Sequence, residues 1–112
     1  GNLERDFTYI DDIVAGVVAT LMDPPRTPNP AAHRIYNIGN NRPEKLERFI
    51  SIVEKAVGKP ARKVMEPMQA GDVHSTYASI DALARDYGFA PKTSLEEGIP
   101  KFVDWYRGYY GV

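Results

Sequence analysis

The sequence predicts an α/β or α+β fold in which about three short strands alternate with four helices. Two observations predict it. Apolar residues recur at helical spacing in four segments, and short β-prone runs lie before three of them. The 112 residues, 43% hydrophobic and 11% aromatic, match the size of one domain. We therefore expect a single domain over 1–112 with one compact core.

The first elements are a strand at 7–10 and a helix. Apolar side chains at i, i+3, i+4 and i+7 predict that helix over 10–22. Asp11 and Asp12 stand at its start, where carboxylates accept hydrogen bonds from free backbone N–H groups. A general acid and base pair is the alternative interpretation. Prolines then end the helix, and an irregular loop is expected over 24–30.

The middle of the chain repeats this order of strand, turn and helix. A second strand is predicted at 34–38, followed by a turn at 39–41. Pro43 suits the first turn of the second helix, which Gly58 and Pro60 are expected to end. A third strand is predicted at 63–65, and it leads into the loop 67–72, which has no hydrophobic period.

Two further helices are predicted toward the end of the chain. Ser79 caps a short one that ends at Gly88. Ser94 and Glu97 form the S-x-x-E capping box of the last helix. Pro100 lies about one turn inside that helix, so it should bend the helix or delay its regular start.

Composition excludes several classes of function. Lys and Arg total 14 against 15 Asp and Glu, for a net charge of −1, and they form no basic block. Nucleic acid is therefore not an expected partner. The absence of cysteine excludes disulfides, thiolate catalysis and cysteine-ligated zinc. No apolar run approaches the roughly 20 residues of a membrane span, so we expect a soluble, cytoplasmic chain without a membrane partner.

Motifs for metal binding or redox catalysis are also missing. His33 and His74 stand alone, without the spacing of a zinc site, so no metal is expected. The sequence has no G-x-G-x-x-G, no Walker loop and no Tyr-x-x-x-Lys. We therefore predict no catalytic residue in this chain.

Candidate binding residues lie at two places. Arg5 stands at the mouth of the first strand, where a guanidinium can bind a phosphate in a bidentate way. A salt bridge to Asp6 or Glu4 is the alternative, and the residues alone favour it. The second place is the loop containing Gln69 and Asp72. Its glycine lets a ligand approach the backbone, and its amide and carboxylate can bind paired sugar hydroxyls. An ordinary turn is the alternative there.

Four ordered motifs carry a resemblance that covers essentially the whole chain. R-D-F-T-Y-I-D-D at 5–12 resembles the R-D-[FY]-x-[YH]-[VI]-x-D segment of extended short-chain dehydrogenase/reductases that act on nucleotide sugars. Y-N-I-G at 36–39 is similar to a strand of that family. M-Q-A-G-D-V at 68–73 resembles the M-Q-P-G-D-V loop of its UDP-glucuronate 4-epimerases, with Ala70 in place of Pro. F-V-D-W-Y-R at 102–107 resembles their terminal helix.

The resemblance implies that this chain is the C-terminal substrate-binding portion of an NAD-dependent epimerase. In that family an N-terminal Rossmann domain, absent here, binds NAD and supplies the Tyr-x-x-x-Lys pair. The enzyme oxidises the sugar at C4, lets the 4-keto intermediate rotate and returns the hydride to the opposite face. The resemblance assigns Arg5 to the diphosphate and Asp72 to the nucleotide. Gln69 falls where galactose-type epimerases usually have an arginine, which favours a UDP-uronate over a UDP-hexose.

Further expectations follow from the same resemblance. The full-length form should be a homodimer, and the chain alone should be inactive. Helix and strand faces that pack on the Rossmann domain should leave apolar surface exposed, so the isolated chain should self-associate. Two alternatives remain open: a stand-alone, non-catalytic sugar-nucleotide binding or interaction module, and the corresponding part of a nucleotide-sugar dehydratase or decarboxylase.

Overall fold

A computed structural model describes residues 2–24 and 33–112. Those residues form four helices and two strands, so the predicted class and number of helices are confirmed. The predicted loop beyond Pro24 lies outside the described residues. The elements are β1 Glu4–Asp6, α1 Ile10–Met22, β2 Pro43–Lys45, α2 Leu46–Val57, α3 Asp81–Tyr87 and α4 Leu95–Tyr110.

Strand β1 lies between two other segments. It pairs with β2 in antiparallel register, with Arg5 opposite Glu44. On its other edge the Glu4 N–H donates to the His74 carbonyl at 3.0 Å, and the Glu4 carbonyl accepts from the Thr76 N–H at 3.2 Å. The chain that follows the loop 67–72 is therefore held directly beside β1.

The predicted strands at 7–10, 34–38 and 63–65 are wrong, because none of these segments is in a strand. A β-prone run becomes a strand only where a neighbouring backbone offers complementary N–H and C=O groups. The observed β1 begins three residues before the first predicted strand. Sequence reasoning missed β2 because it placed Pro43 in a helix. At a strand end, however, the missing N–H of proline costs nothing.

Helix boundaries were predicted more accurately than strands. Helix α1 has the predicted bounds, and Gly58 and Gly88 end α2 and α3 in the left-handed conformation. Ser94 is the N-cap residue of α4, but its side chain makes no capping bond. Helix α4 starts at Leu95 and continues through Pro100 to Tyr110, so the proline does not delay its start.

The buried core is smaller than the expected compact core. Among the described residues it centres on α3, where Leu83 is fully buried against Ile80 and Phe89. The Cα radius of gyration is 17.5 Å, whereas a compact domain of this length has about 13 Å. The sequence has enough apolar residues for a larger core, but many of them remain on the surface.

Helix α1 carries six of the eighteen large apolar side chains that are exposed among the described residues. Leu21 is 73% exposed and Met22 is 76% exposed. Outside this helix, Ile35 is 83% exposed. The expected apolar surface is therefore found, while self-association stays a prediction. Within 2–24 and 33–112, no helix combines the length and the apolar character that crossing a membrane requires.

Candidate functional site

Arg5 is fixed by the backbone around β1. Its Nη1 donates to the Glu4 carbonyl oxygen at 2.8 Å and approaches the His74 carbonyl oxygen at 3.4 Å. Its Nη2 donates to Asp72 Oδ1 at 2.8 Å, which makes an ion pair. The alternative prediction, a salt bridge from Arg5 to Asp6 or Glu4, is wrong. The structure instead joins two of the three candidate binding residues directly.

The loop that carries Gln69 and Asp72 is a tight turn. The Asp72 N–H donates to the Gln69 carbonyl at 3.1 Å. Gly71 has φ +87°, a left-handed conformation that strains any other residue type. Asp72 Oδ1 also accepts from the Val73 N–H at 2.8 Å. The turn interpretation is therefore confirmed, and it coexists with the placement of Asp72 against Arg5.

A groove of about 440 Å³ runs beside this turn. Helix α2 contributes Leu46 and Ile50 to the groove, and the stretch 61–69, which is in no helix or strand, contributes most of the remaining lining. Gln69 and Asp72, the first and last residues of the turn, both line the groove. The apolar residues that line it are Leu3, Leu46, Ile50, Val64, Met65 and Met68.

Charge in this groove is nearly balanced. Lys63 Nζ lies 3.0 Å from Glu47 Oε2, and that hydrogen bond raises the pKa of Lys63 above its ordinary value. Arg62 and Glu66 also line the groove and are exposed. The groove therefore has no strong net field of either sign.

The carboxylate of Asp6 binds the chain segments next to the site to one another. It accepts hydrogen bonds from the N–H groups of Asn41 at 3.1 Å, Arg42 at 3.3 Å and Ala78 at 3.2 Å. Three chain segments therefore meet at the end of β1. Gly39 lies in the same crossing, and a Cβ added to it would be 2.5 Å from the Ala78 Cβ. Only glycine fits such a close approach without a shift of backbone.

Asp12 has a similar supporting role at the other end of the motif. It is only 6% exposed, and its two carboxylate oxygens accept from the N–H groups of Lys92 at 3.1 Å and Thr93 at 2.9 Å. The prediction that it caps α1 is wrong, because it binds a distant segment instead. No signal in the sequence identifies that partner. Asp11 is exposed and makes no hydrogen bond to a described residue.

The arrangement suits a ligand with three chemical parts. An apolar wall covers a flat ring, a carboxylate accepts from hydroxyls, and a guanidinium attracts an anion. Gln69 and Asp72 line the groove, and Arg5 is joined to it through its ion pair with Asp72. The roles of these three residues in binding stay predictions. His33 and His74 are both exposed, and the described residues contain no cluster of metal-ligating side chains.

Known proteins with similar sequences carry one recurring name. No family model matches the chain. Protein CapI of Staphylococcus aureus is 44% identical over 98% of the chain and 36% of its own length. A probable UDP-glucuronate 4-epimerase of Rhizobium meliloti is 43% identical, again over 98% of the chain and 36% of its own length. The chain is a relative of the UDP-glucuronate 4-epimerases. It spans about a third of the length of these relatives.

A solved structure supports the same relationship. The UDP-glucuronic acid 4-epimerase of Bacillus cereus, in complex with UDP-glucuronic acid and NAD, superposes with a TM-score of 0.82. It is 32% identical, and the match covers 98% of this chain and 34% of the epimerase chain. The predicted resemblance to NAD-dependent nucleotide-sugar epimerases, and to UDP-glucuronate 4-epimerases in particular, is confirmed. The predicted cofactor of that family is confirmed as well.

Proposed function

We propose that this chain is the C-terminal, nucleotide-sugar-binding portion of an NAD-dependent 4-epimerase that acts on a UDP-uronate. The observation that carries the proposal is the ion pair of Arg5 with Asp72, which lines a groove that also has many apolar side chains. The relationship to UDP-glucuronate 4-epimerases supports the choice of ligand. Together they favour a nucleotide that bears both hydroxyls and phosphate.

Each candidate residue receives one part of the ligand in this proposal. Asp72 accepts hydrogen bonds from hydroxyls of the nucleotide, since a carboxylate is an acceptor only. Arg5 keeps N–H donors beyond those given to Asp72 and the backbone carbonyls, and these bind the diphosphate. Gln69 offers an uncharged amide in the lining of the groove. The apolar wall formed by Leu46 and Ile50 packs against the base.

The described residues do not fit NAD. A dinucleotide site needs parallel strands and a glycine-rich turn that leads into a helix. The described sheet has two strands, and they are antiparallel. We infer that an N-terminal Rossmann domain of the whole protein binds NAD and supplies the reacting tyrosine, and that it packs on the exposed face of α1. By itself the chain would then catalyse no turnover.

The upstream gene sequence tests this proposal first. We expect it to encode a glycine-rich strand–turn–helix followed by a Tyr-x-x-x-Lys. An upstream sequence without them would contradict the proposal and favour the stand-alone module. In that case the 112-residue chain itself should bind UDP clearly, whereas half of a cleft should bind it weakly.

Activity of the full gene product is the second test. We expect it to convert UDP-glucuronate to UDP-galacturonate, measured by chromatography of the products. Asp72→Asn should raise KM about tenfold, because a hydrogen bond to a charged acceptor is worth about 1.5 kcal/mol or more. Asp104→Asn, on the exposed side of α4, is the matched control. An Asp72→Asn enzyme with an unchanged KM would contradict the binding role.

A further inference from the structure

We propose that Arg5 also acts as a positioning residue, which orients the carboxylate of Asp72 so that its Oδ2 faces the hydroxyls of the ligand. This inference rests on the proposed function. It assigns to Arg5 an effect on hydroxyl recognition that is distinct from its attraction for phosphate.

The hydrogen bonds of Asp72 are unequally shared between its two oxygens. Both the Arg5 Nη2 donor and the Val73 N–H donor bind Oδ1, each at 2.8 Å. Among the described residues, no donor binds Oδ2. The side chain is 41% exposed and lines the groove. Two bonds on one oxygen fix the plane of the carboxylate, and they leave the other oxygen free to accept from a ligand.

Arg5 is the more firmly held member of the pair. Its side chain is 24% exposed, and Nη1 is bound to the Glu4 carbonyl within β1. Its strand is paired on both edges, by β2 and by the segment around Thr76. Asp72, in contrast, lies on a turn at the surface. The orientation of the guanidinium therefore determines that of the carboxylate.

A lysine at position 5 would keep the charge but lose this geometry. The guanidinium is a planar fork, and it binds two carbonyls and one carboxylate oxygen in fixed directions. An ammonium group is a compact charge that still attracts phosphate. Arg5→Lys therefore separates orientation of Asp72 from attraction of the diphosphate.

The test measures binding of two ligands to the full gene product by calorimetry. UDP carries the paired ribose hydroxyls, and 2′,3′-dideoxyuridine diphosphate lacks them. We expect Arg5→Lys to weaken UDP about tenfold and the dideoxy ligand about threefold at most, since only UDP uses Asp72. Asp72→Asn and Asp72→Glu should show the same selective loss. Because both ligands are measured on the same folded variant, a general loss of structure cannot imitate this selectivity.

Other outcomes would overturn the inference in distinguishable ways. If Arg5→Lys weakens both ligands by the same factor, Arg5 acts on the phosphates alone, and the positioning role is wrong. If the unmodified protein does not bind UDP, the proposed function fails, and the positioning role fails with it. Arg85→Lys is the matched control, because Arg85 pairs with Asp86 on α3, whereas Arg5 pairs with Asp72, which lines the groove. It should leave the affinity for both ligands unchanged.

Discussion

The carboxylates of Asp6 and Asp72 make different kinds of hydrogen bonds. Asp6 accepts from three backbone N–H groups and binds segments of the chain to one another. Asp72 places its two hydrogen bonds on one oxygen and leaves the other open. One acid therefore holds the fold together, while the other is available to a ligand. We expect substitutions to affect stability at Asp6 and binding at Asp72.

The largest effect on stability should come from Asp6→Asn. In this variant an NH₂ group replaces one carboxylate oxygen. Because NH₂ is a donor, at least one of the three backbone N–H groups that bind Asp6 loses its acceptor. We expect the free energy of unfolding to fall by about 3 kcal/mol. Urea denaturation followed by circular dichroism measures it. Asp104→Asn, at an exposed position, should change the midpoint little. Equal midpoints for the two variants would contradict the supporting role of Asp6.

A somewhat smaller effect is expected at Asp12, which ties α1 to the start of α4. Asp12→Asn should cost about 2 kcal/mol, because one of the N–H groups of Lys92 and Thr93 would face an amide donor in a buried place. Asp11→Asn is the matched control, because Asp11 is the neighbour of Asp12 in the sequence and its side chain is exposed. If both variants unfold at the same urea concentration, the bonds to Lys92 and Thr93 contribute nothing.

The smallest effect concerns Asp86, at the surface of α3. Hydrogen bonds from the Arg85 guanidinium and the Tyr36 hydroxyl lower the pKa of Asp86 well below its ordinary value. A lowered pKa gives stability that is present above the unfolded pKa, about 3.9, and is lost as the pH falls below it. Asp86→Asn should therefore be less stable than the parent protein at pH 7, and the difference should shrink in acid.

Urea midpoints at pH 7 and at about pH 3 measure this difference. Asp81→Asn, on the same helix and without an ion pair to a described residue, is the control. A stability difference between Asp86→Asn and the parent that is larger at about pH 3 than at pH 7 would contradict the predicted direction of the pH dependence. None of these surface bonds should alter ligand binding, because Asp86 does not line the groove.

Helices and binding residues could be predicted from the sequence because their signals are local. The apolar spacing of α1 gave both of its ends, and left-handed glycines ended α2 and α3 where expected. Arg5 and Asp72 were recognised from residue chemistry and from motifs. Their pairing was not, because 67 residues separate them along the chain. Such a contact depends on how β1 meets the segment at 74–76.

Strands and supporting acids required tertiary information. The run at 34–38 has high β propensity, yet it pairs with no described strand. Asp12 stands where a helix cap belongs, but a distant backbone provides better donors. Gly39 is predicted as part of a turn, whereas the structure requires glycine there because an added Cβ would lie 2.5 Å from the Ala78 Cβ. In each case the deciding partner lies far away in the sequence.

The most direct test of the central claim compares Asp72→Asn with the unmodified gene product in two measurements on the same samples. Calorimetry with UDP-glucuronate gives the affinity, and urea denaturation gives the stability. We predict that affinity falls about tenfold while the free energy of unfolding changes by about 0.5 kcal/mol or less, as is usual at exposed positions. Unchanged affinity, or a loss of stability as large as that of Asp6→Asn, would contradict the assignment of Asp72 to the ligand.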